Sequence, residues 1–220
     1  MVLSLSPGAA PIGSAKHLAE NADMWRISPD FWDSWPALKQ QFGLARTWAP
    51  CAKPGSWPDA DMLPVGNLAI RSEIKMNHPR KTNFTPDEQY SMLTLWSMMR
   101  SPLMIGSNLP GLDEFTLSLL TNKDVIEINQ NSTNGREMYA KGDTIIWAAE
   151  NQNGKSNYVA FFNHNDSISK ILSVNLSDLG LNDSYSVYDI WKKEDLPDAK
   201  NGLTVEVAPH GTVLLRLSFK

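Results

Sequence analysis

One cysteine, Cys51, is all that this 220-residue chain contains, so no internal disulfide can form, and a lone thiol leaves the redox compartment open. There is no apolar run of about 18 residues, the least that a membrane-spanning helix needs, and no membrane partner is expected. Met1–Ser4 has neither a basic leader nor a long apolar core behind it, so a signal peptide is not expected. Localisation stays open. Basic clusters are missing too: with a net charge of −4 and dispersed lysines and arginines, nucleic acid is not an expected partner. The histidines His17, His78, His164 and His210 are scattered and give no metal-ligand spacing, so neither a metal nor another cofactor is expected. What the chain does have is apolar and aromatic material. At 42% hydrophobic and 9% aromatic residues, it can bury a core in one large or two small domains.

The densest chemistry lies in Trp25–Trp35, which holds three tryptophans, Arg26 and the carboxylates Asp30 and Asp33. Ala22–Ile27 can run as a short strand. Phe31 to Phe42 reads as an amphipathic helix, with Phe31, Trp35, Leu38 and Phe42 at helical spacing. Asp30 therefore stands where a strand hands over to a helix. Two readings are open there: a helix cap made by its side-chain oxygen, or a catalytic carboxylic acid at the C-terminal mouth of a parallel β/α unit. A second stretch, Lys53–Gly66, packs a turn, Trp57 and the pair Asp59 and Asp61 into an aperiodic loop. A ring face with nearby hydroxyl acceptors suits a sugar. A D-x-D metal pair or an ordinary Asx-rich turn are the alternatives.

Elsewhere the pattern is strand, then helix, then strand again. Val2–Ser6 is a short strand, Pro7–Pro11 a turn and Ser14–Glu20 a short helix. Short strands are expected near Thr47–Ala49 and Met62–Pro64. Asn67–Thr82, with Arg71, Lys75, Arg80 and Lys81, reads as a solvated loop, a loop bordering the site being the alternative. Thr85, Pro86 and Glu88 form a helix start with a capping box, and that helix runs to about Arg100, with its methionines as core filler. Ser101–Gly106 is expected as a last buried strand, followed by helices over Leu112–Leu120 and Lys123–Gln130. Asn131–Gly135 is a turn-prone boundary. Beyond it the periodicity changes to two. Strands are expected over Thr144–Ala149, Asn157–Asn163, Ile168–Leu176, Tyr185–Trp191, Leu203–Val207 and Thr212–Phe219, the makings of an antiparallel sandwich. Trp147, Tyr158, Phe161, Tyr188 and Trp191 read as core, with a sugar-stacking platform as the alternative.

The segments MWRISPDFWDSW, PGSWPDADMLPVG, FTPDEQYSMLTLWSMMRSPLMIGSNL and LLTNKDVIEINQ, in this order, resemble the second half of the family 27 glycoside hydrolases, the α-galactosidase family. The resemblance runs from about Val2 to Gln130, with a family-type β-domain after it. It implies an α/β plus all-β fold: about strands 5–8 of a TIM (β/α)8 barrel over 1–130, then a C-terminal antiparallel β-sandwich over 136–220. It also implies a retaining hydrolase that cleaves terminal α-galactosyl residues from a carbohydrate substrate. Such enzymes hold two carboxyl groups roughly 5–5.5 Å apart, one attacking the anomeric carbon and one protonating the leaving oxygen.

By this resemblance Asp30 matches the acid/base, Arg26 the sugar-binding arginine, and Asp61, with Met62 beside it, the carboxylate that accepts sugar hydroxyls. Trp57 and Asp59 match the rest of that motif. Pro58 replaces the family's Asn, which puts the loop's shape in question. Ser6, with Ala9 three positions on, resembles the α-N-acetylgalactosaminidase form of the loop facing the sugar's 2-position, and drift of a short loop would look the same. The family's nucleophile, an Asp in a K-x-D motif after the fourth strand, has no counterpart in these residues. The expected partners are therefore a first half that carries it, or a second copy covering the open barrel, and the chain alone is expected to be inactive and not cleanly monomeric. A non-catalytic binding or complementing piece is the competing reading.

Overall fold

The computed structural model describes residues 1–6, 8–70 and 78–220; Pro7, Arg71 and Lys75, named above, lie outside them. Strand and helix alternate from the start: β1 (Ser4–Leu5), α1 (Ala15–Asn21), β2 (Met24–Arg26), α2 (Trp35–Trp48) and β3 (Trp57–Asp59). The three strands lie side by side in chain order and all run parallel, with Leu5 opposite Trp25 and Arg26 opposite Asp59.

α2 starts four residues later than its periodicity suggested and runs six further. Pro36 fits only the first turn of a helix, so α2 starts at Trp35 and Ser34, in extended backbone, is the N-cap. Asp30 does not cap this helix. The buried stripe of Leu38, Phe42, Ala45 and Trp48 carries α2 through Thr47, where a strand was expected. Ala49–Cys51 adds a 3-10 turn.

Two short strands, β4 (Asn67–Leu68) and β5 (Arg80–Lys81), pair antiparallel within the stretch read as a loop. α3 (Pro86–Met99) begins with the expected capping box: the Thr85 hydroxyl accepts from the Glu88 N–H at 3.2 Å, and the Thr85 N–H donates to the Glu88 carboxylate at 2.8 Å. It ends at Arg100, in the left-handed region, whose guanidinium donates to the carbonyls of Asn129 and Gln130. Ser101–Gly106, expected as a full strand, makes a single parallel bridge between Leu63 and Ile105. The Leu63 N–H donates to Met104 and the Gly106 N–H to Leu63, while Pro102 has no N–H to extend the ladder. Helices α4 (Glu114–Leu120) and α5 (Lys123–Asn131) follow, N-capped by the side chains of Asp113 and Asn122.

β6 (Ser132–Lys141) starts directly after α5, so the turn-prone residues mark a bulge rather than a loop. The register shifts between Thr133 and Arg136, and Asn134 has a φ of +55°; Asn and Gly supply the backbone freedom that a bulge needs. The remaining strands are β7 (Thr144–Asn151), β8 (Ser156–Asn163), β9 (Lys170–Asn175), β10 (Tyr185–Asp189), β11 (Glu194–Ala199), β12 (Gly202–Val207) and β13 (Thr212–Phe219). Six form an antiparallel sheet in the order β11-β10-β13-β8-β7-β6, and β9 pairs with β12. The six expected strands are all present. β11 was unreadable because its EDLPDA sequence is acidic and holds a proline, features of an edge strand.

The large sheet is buried on both faces. Ile146, Val159, Phe161 and Leu215 pack with Leu172 and Leu203 of the small sheet. Trp147, Tyr158, Phe162 and Leu214 join one continuous core with Leu38, Phe42, Leu95 and Trp96 of the helices. Burial on two sides explains why β7 and β8 are nearly unbroken apolar runs and depart from the period of two expected for this region. It also makes Trp147, Tyr158 and Phe161 core, as expected. Tyr188 lies under the Arg216 guanidinium and Trp191 against Tyr90. Val2, Leu3, Met104 and Ile105 are exposed large hydrophobic residues.

Candidate active site

Parallel strands direct their following loops to one face. Arg26 ends β2 and Asp59 ends β3, directly opposite each other. The Ala10 N–H donates to the Arg26 carbonyl at 3.0 Å, which brings the loop after β1 to the same place. Asp61 stands two residues beyond Asp59 with a φ of +82°. For a non-glycine residue that conformation costs on the order of 1–3 kcal/mol and persists only where neighbours impose it. They do so here. The Asp61 N–H donates to Asp59 Oδ1 at 2.9 Å, and the indole of Trp96 donates to the Asp61 carbonyl at 2.9 Å.

This backbone points the Asp61 carboxylate at Arg26, with Nη2 2.6 Å from Oδ2. The same carboxylate accepts the N–H groups of Phe31 at 2.6 Å and Met62 at 2.7 Å. Arg26 Nη2 also lies 3.4 Å from Asp30 Oδ1. Arg26 and Asp61 are mostly buried, whereas the Asp30 side chain is 87% exposed. Burial pushes the Asp59 carboxyl above the usual range, against the pull of the Asp61 N–H and the Arg26 charge. The Met62 side chain rests on Gly106, where an added Cβ would come within 2.6 Å of its sulfur. Arg26 Nε and the Ser28 hydroxyl are buried without a partner among the described residues.

Five of the expected site residues thus come together: Arg26, Asp30, Asp59, Asp61 and Met62. Trp57 does not join them. It opens β3 opposite Met24, at the other end of the strand from Asp59, and its ring lies 4.5 Å from the Arg100 guanidinium. That makes Trp57 a packing platform for the end of α3. Ser6 is exposed just past β1. Asp33 and Arg80 carried no role in the sequence reading. Asp33 is buried and takes both terminal nitrogens of Arg80, at 2.5 and 2.7 Å, so Arg80 is not simply solvated. The signal for Asp33 was its place in the tryptophan-rich stretch. Its partner 47 residues away was not legible.

Burial acts to raise the Asp33 carboxyl, but the Arg80 hydrogen bonds and the Asn83 N–H outweigh it, and the group titrates below the ordinary carboxylate range. A depressed folded-state pKa adds stability above the unfolded value of about 3.9, and this stability disappears as pH falls through the lower folded value. Urea midpoints taken between about pH 5 and 2.5 should therefore fall more steeply for the wild type than for Asp33→Asn. Parallel curves would contradict this assignment.

The Alpha galactosidase A profile matches residues 9–131. This chain belongs to that family. The α-galactosidase C-terminal β-sandwich profile matches residues 141–217, so the fold is the second half of the α-galactosidase barrel followed by its sandwich, as the sequence segments implied. Among family relatives, Alpha-galactosidase 2 of Arabidopsis thaliana is 29% identical over 198 residues, 88% of this chain and 46% of its own. The GH27 β-L-arabinopyranosidase of Geobacillus stearothermophilus is 44% identical with a TM-score of 0.94, over 99% of this chain and 49% of that one. A variant of that enzyme was solved with arabinose. α-Galactosidase I of Mortierella vinacea shares the fold, with a TM-score of 0.83 at 22% identity, covering 100% of this chain and 59% of that one. This α-galactosidase-family chain therefore spans about half the length of the relatives it matches.

Proposed function

We propose that this chain supplies the acid/base half of a retaining glycosidase site for terminal galacto-configured pyranosides, α-galactosides first among them. The observation that carries the reading is the Asp30–Arg26–Asp61 constellation: an exposed carboxyl held beside a buried arginine whose charge is matched by a second, fixed carboxylate. In this reading Asp30 protonates the leaving oxygen, and Arg26 and Asp61 hold sugar hydroxyls. The nucleophile comes from β/α units outside these 220 residues, in the same polypeptide or a separate one. The partner for the exposed Val2, Leu3, Met104 and Ile105 is then that set of β/α units, with a second copy of this chain as the occupant in its absence.

The identity to the Geobacillus enzyme supports a second reading of the sugar. A β-L-arabinopyranoside has the ring configuration of an α-D-galactoside without the C5 hydroxymethyl group, so the two substrates differ at one position. Ser6 and Ala9 bear on a third choice, a sugar with a bulky 2-acetamido group.

The test joins this chain to the first four β/α units of the Geobacillus enzyme and assays p-nitrophenyl α-galactoside, β-L-arabinopyranoside and α-N-acetylgalactosaminide. The 220 residues alone should turn over none of them, since loss of a nucleophile leaves only residual catalysis. In the joined enzyme, Asp30→Asn should slow disaccharide cleavage on the order of 10²–10⁴-fold. It should lower kcat/KM for the p-nitrophenyl substrate far less, because that leaving group departs without a proton, while kcat falls for both because the same carboxyl activates the water that releases the sugar. Ordinary turnover by the bare chain, unaffected by Asp30→Asn, would sink both the site and the division of labour.

A further inference from the structure

The loop that carries Asp30 is fixed at three points. The Ile27 N–H donates to the Asp59 carbonyl at 2.9 Å, and the Phe31 N–H reaches Asp61 at 2.6 Å. The third point is Asp33. Its side chain is 2% exposed, takes the paired Arg80 nitrogens and the Asn83 N–H at 2.5 Å, and lies 3.5 Å from the Thr82 hydroxyl oxygen. Thr82 also donates from its hydroxyl to the Pro64 carbonyl at 2.7 Å and from its N–H to the Gly66 carbonyl at 2.8 Å. Residues 80–84 are therefore tied to the loop that carries Asp61. Asp33 closes a ring: Asp30 loop, Arg80 segment, Asp61 loop, and back through Arg26.

A buried carboxylate is costly unless paired. The simple structural use for an Asp at this place is to cap α2, yet the N-cap is Ser34, which makes no side-chain bond. Asp33 instead turns outward to a segment nearly fifty residues away. Both oxygens are engaged, in the bidentate geometry that fixes direction as well as distance. A contact of this kind sets where a neighbouring side chain sits. Displacement of a reacting group by about 1 Å can cost on the order of 100-fold in rate.

We propose that Asp33 is a positioning residue for the acid/base: paired with Arg80, it locks residues 28–34 so that the Asp30 carboxyl stays beside Arg26 and within reach of the glycosidic oxygen. The role rests on Asp30 being the acid/base, as proposed above.

Two measurements test it. In the 220-residue chain, Asp33→Asn and Arg80→Met should each speed amide exchange at residues 28–34, Phe31 above all, and leave the amides of α3 and β8 unchanged. In the joined enzyme, both variants should reproduce the Asp30→Asn signature in weaker form: kcat/KM for a disaccharide, which reports the step that needs the proton, falls on the order of 10- to 100-fold, with kcat/KM for the p-nitrophenyl glycoside nearly constant. The double variant should be no worse than either single one, because the two residues act as one contact. Unchanged exchange at Phe31, or equal losses on both substrates, overturns the role of Asp33. If Asp30→Asn itself shows no leaving-group selectivity, the acid/base reading falls and this role with it. Arg80→Met addresses the same contact from the other side if Asp33→Asn fails to fold.

Discussion

Asp61→Asn will destabilise the chain by about 3–5 kcal/mol, the usual consequence of stripping one partner from a buried ion pair. Arg26 would stay buried with only the longer contact to the exposed Asp30, and the amide that replaces the carboxylate would present an N–H₂ group to at least one of the donors at Phe31 and Met62. The strained backbone at position 61 would remain. Urea unfolding at neutral pH measures the loss. The double variant Arg26→Met with Asp61→Asn should recover part of it, because no buried charge is then left without its partner, while the loss at the Phe31 and Met62 N–H groups remains. A double variant as unstable as the single would mean that the pair contributes through shape rather than charge.

The second large effect lies far from the site. Gly135→Ala places a methyl carbon 2.0 Å from the Met98 carbonyl oxygen, a backbone atom near the end of α3 that has no freedom to retreat. Overpacking of this kind costs about 1–3 kcal/mol and occasionally more, so thermal unfolding should begin several degrees lower. Gly43→Ala is the counterpart. Nothing lies within 4 Å of the new Cβ in the middle of α2, and alanine there should stabilise by up to about 1 kcal/mol. Equal shifts in the two variants would show that the close approach of β6 to α3 is not tight.

The contrast between these glycines shows what the sequence makes legible. Local rules read well: the capping box at Thr85 and Glu88, the α4 and α5 helices and six of the sandwich strands all follow from spacing, capping and turn chemistry. Errors arose where a local signal serves a tertiary purpose. Asn134 and Gly135 read as a turn because a bulge draws on the same residues, and only contact with Met98 explains the glycine. Ser101–Gly106 has strand composition but makes one bridge. Phe31 fits the helical stripe yet lies in the loop, buried against Phe84 and Trp96. The grouping of Arg26, Asp30 and Asp61 was expected from the resemblance of two motifs, and the parallel pairing of β2 with β3 brings the three side chains together. Trp57 belongs to the same motif and serves packing at the opposite end of its strand. Arg80 was missed because an ion pair spanning 47 residues leaves no trace in either local sequence.

The sheet that is apolar on both sides bears on how this chain could have been assembled from parts. Accessory modules that move freely among enzymes end in finished surfaces and hang from linkers. Here Trp147, Tyr158 and Phe162 face Phe42 and Trp96 in one core, and β6 follows α5 without a spacer residue. Cut after Asn131, the strands would expose a broad apolar face and the helices would lose their cover. The two parts therefore share one core and do not separate as modules, so a substitution on the inner face of β7 acts through its fit to α2 as well as within the sheet.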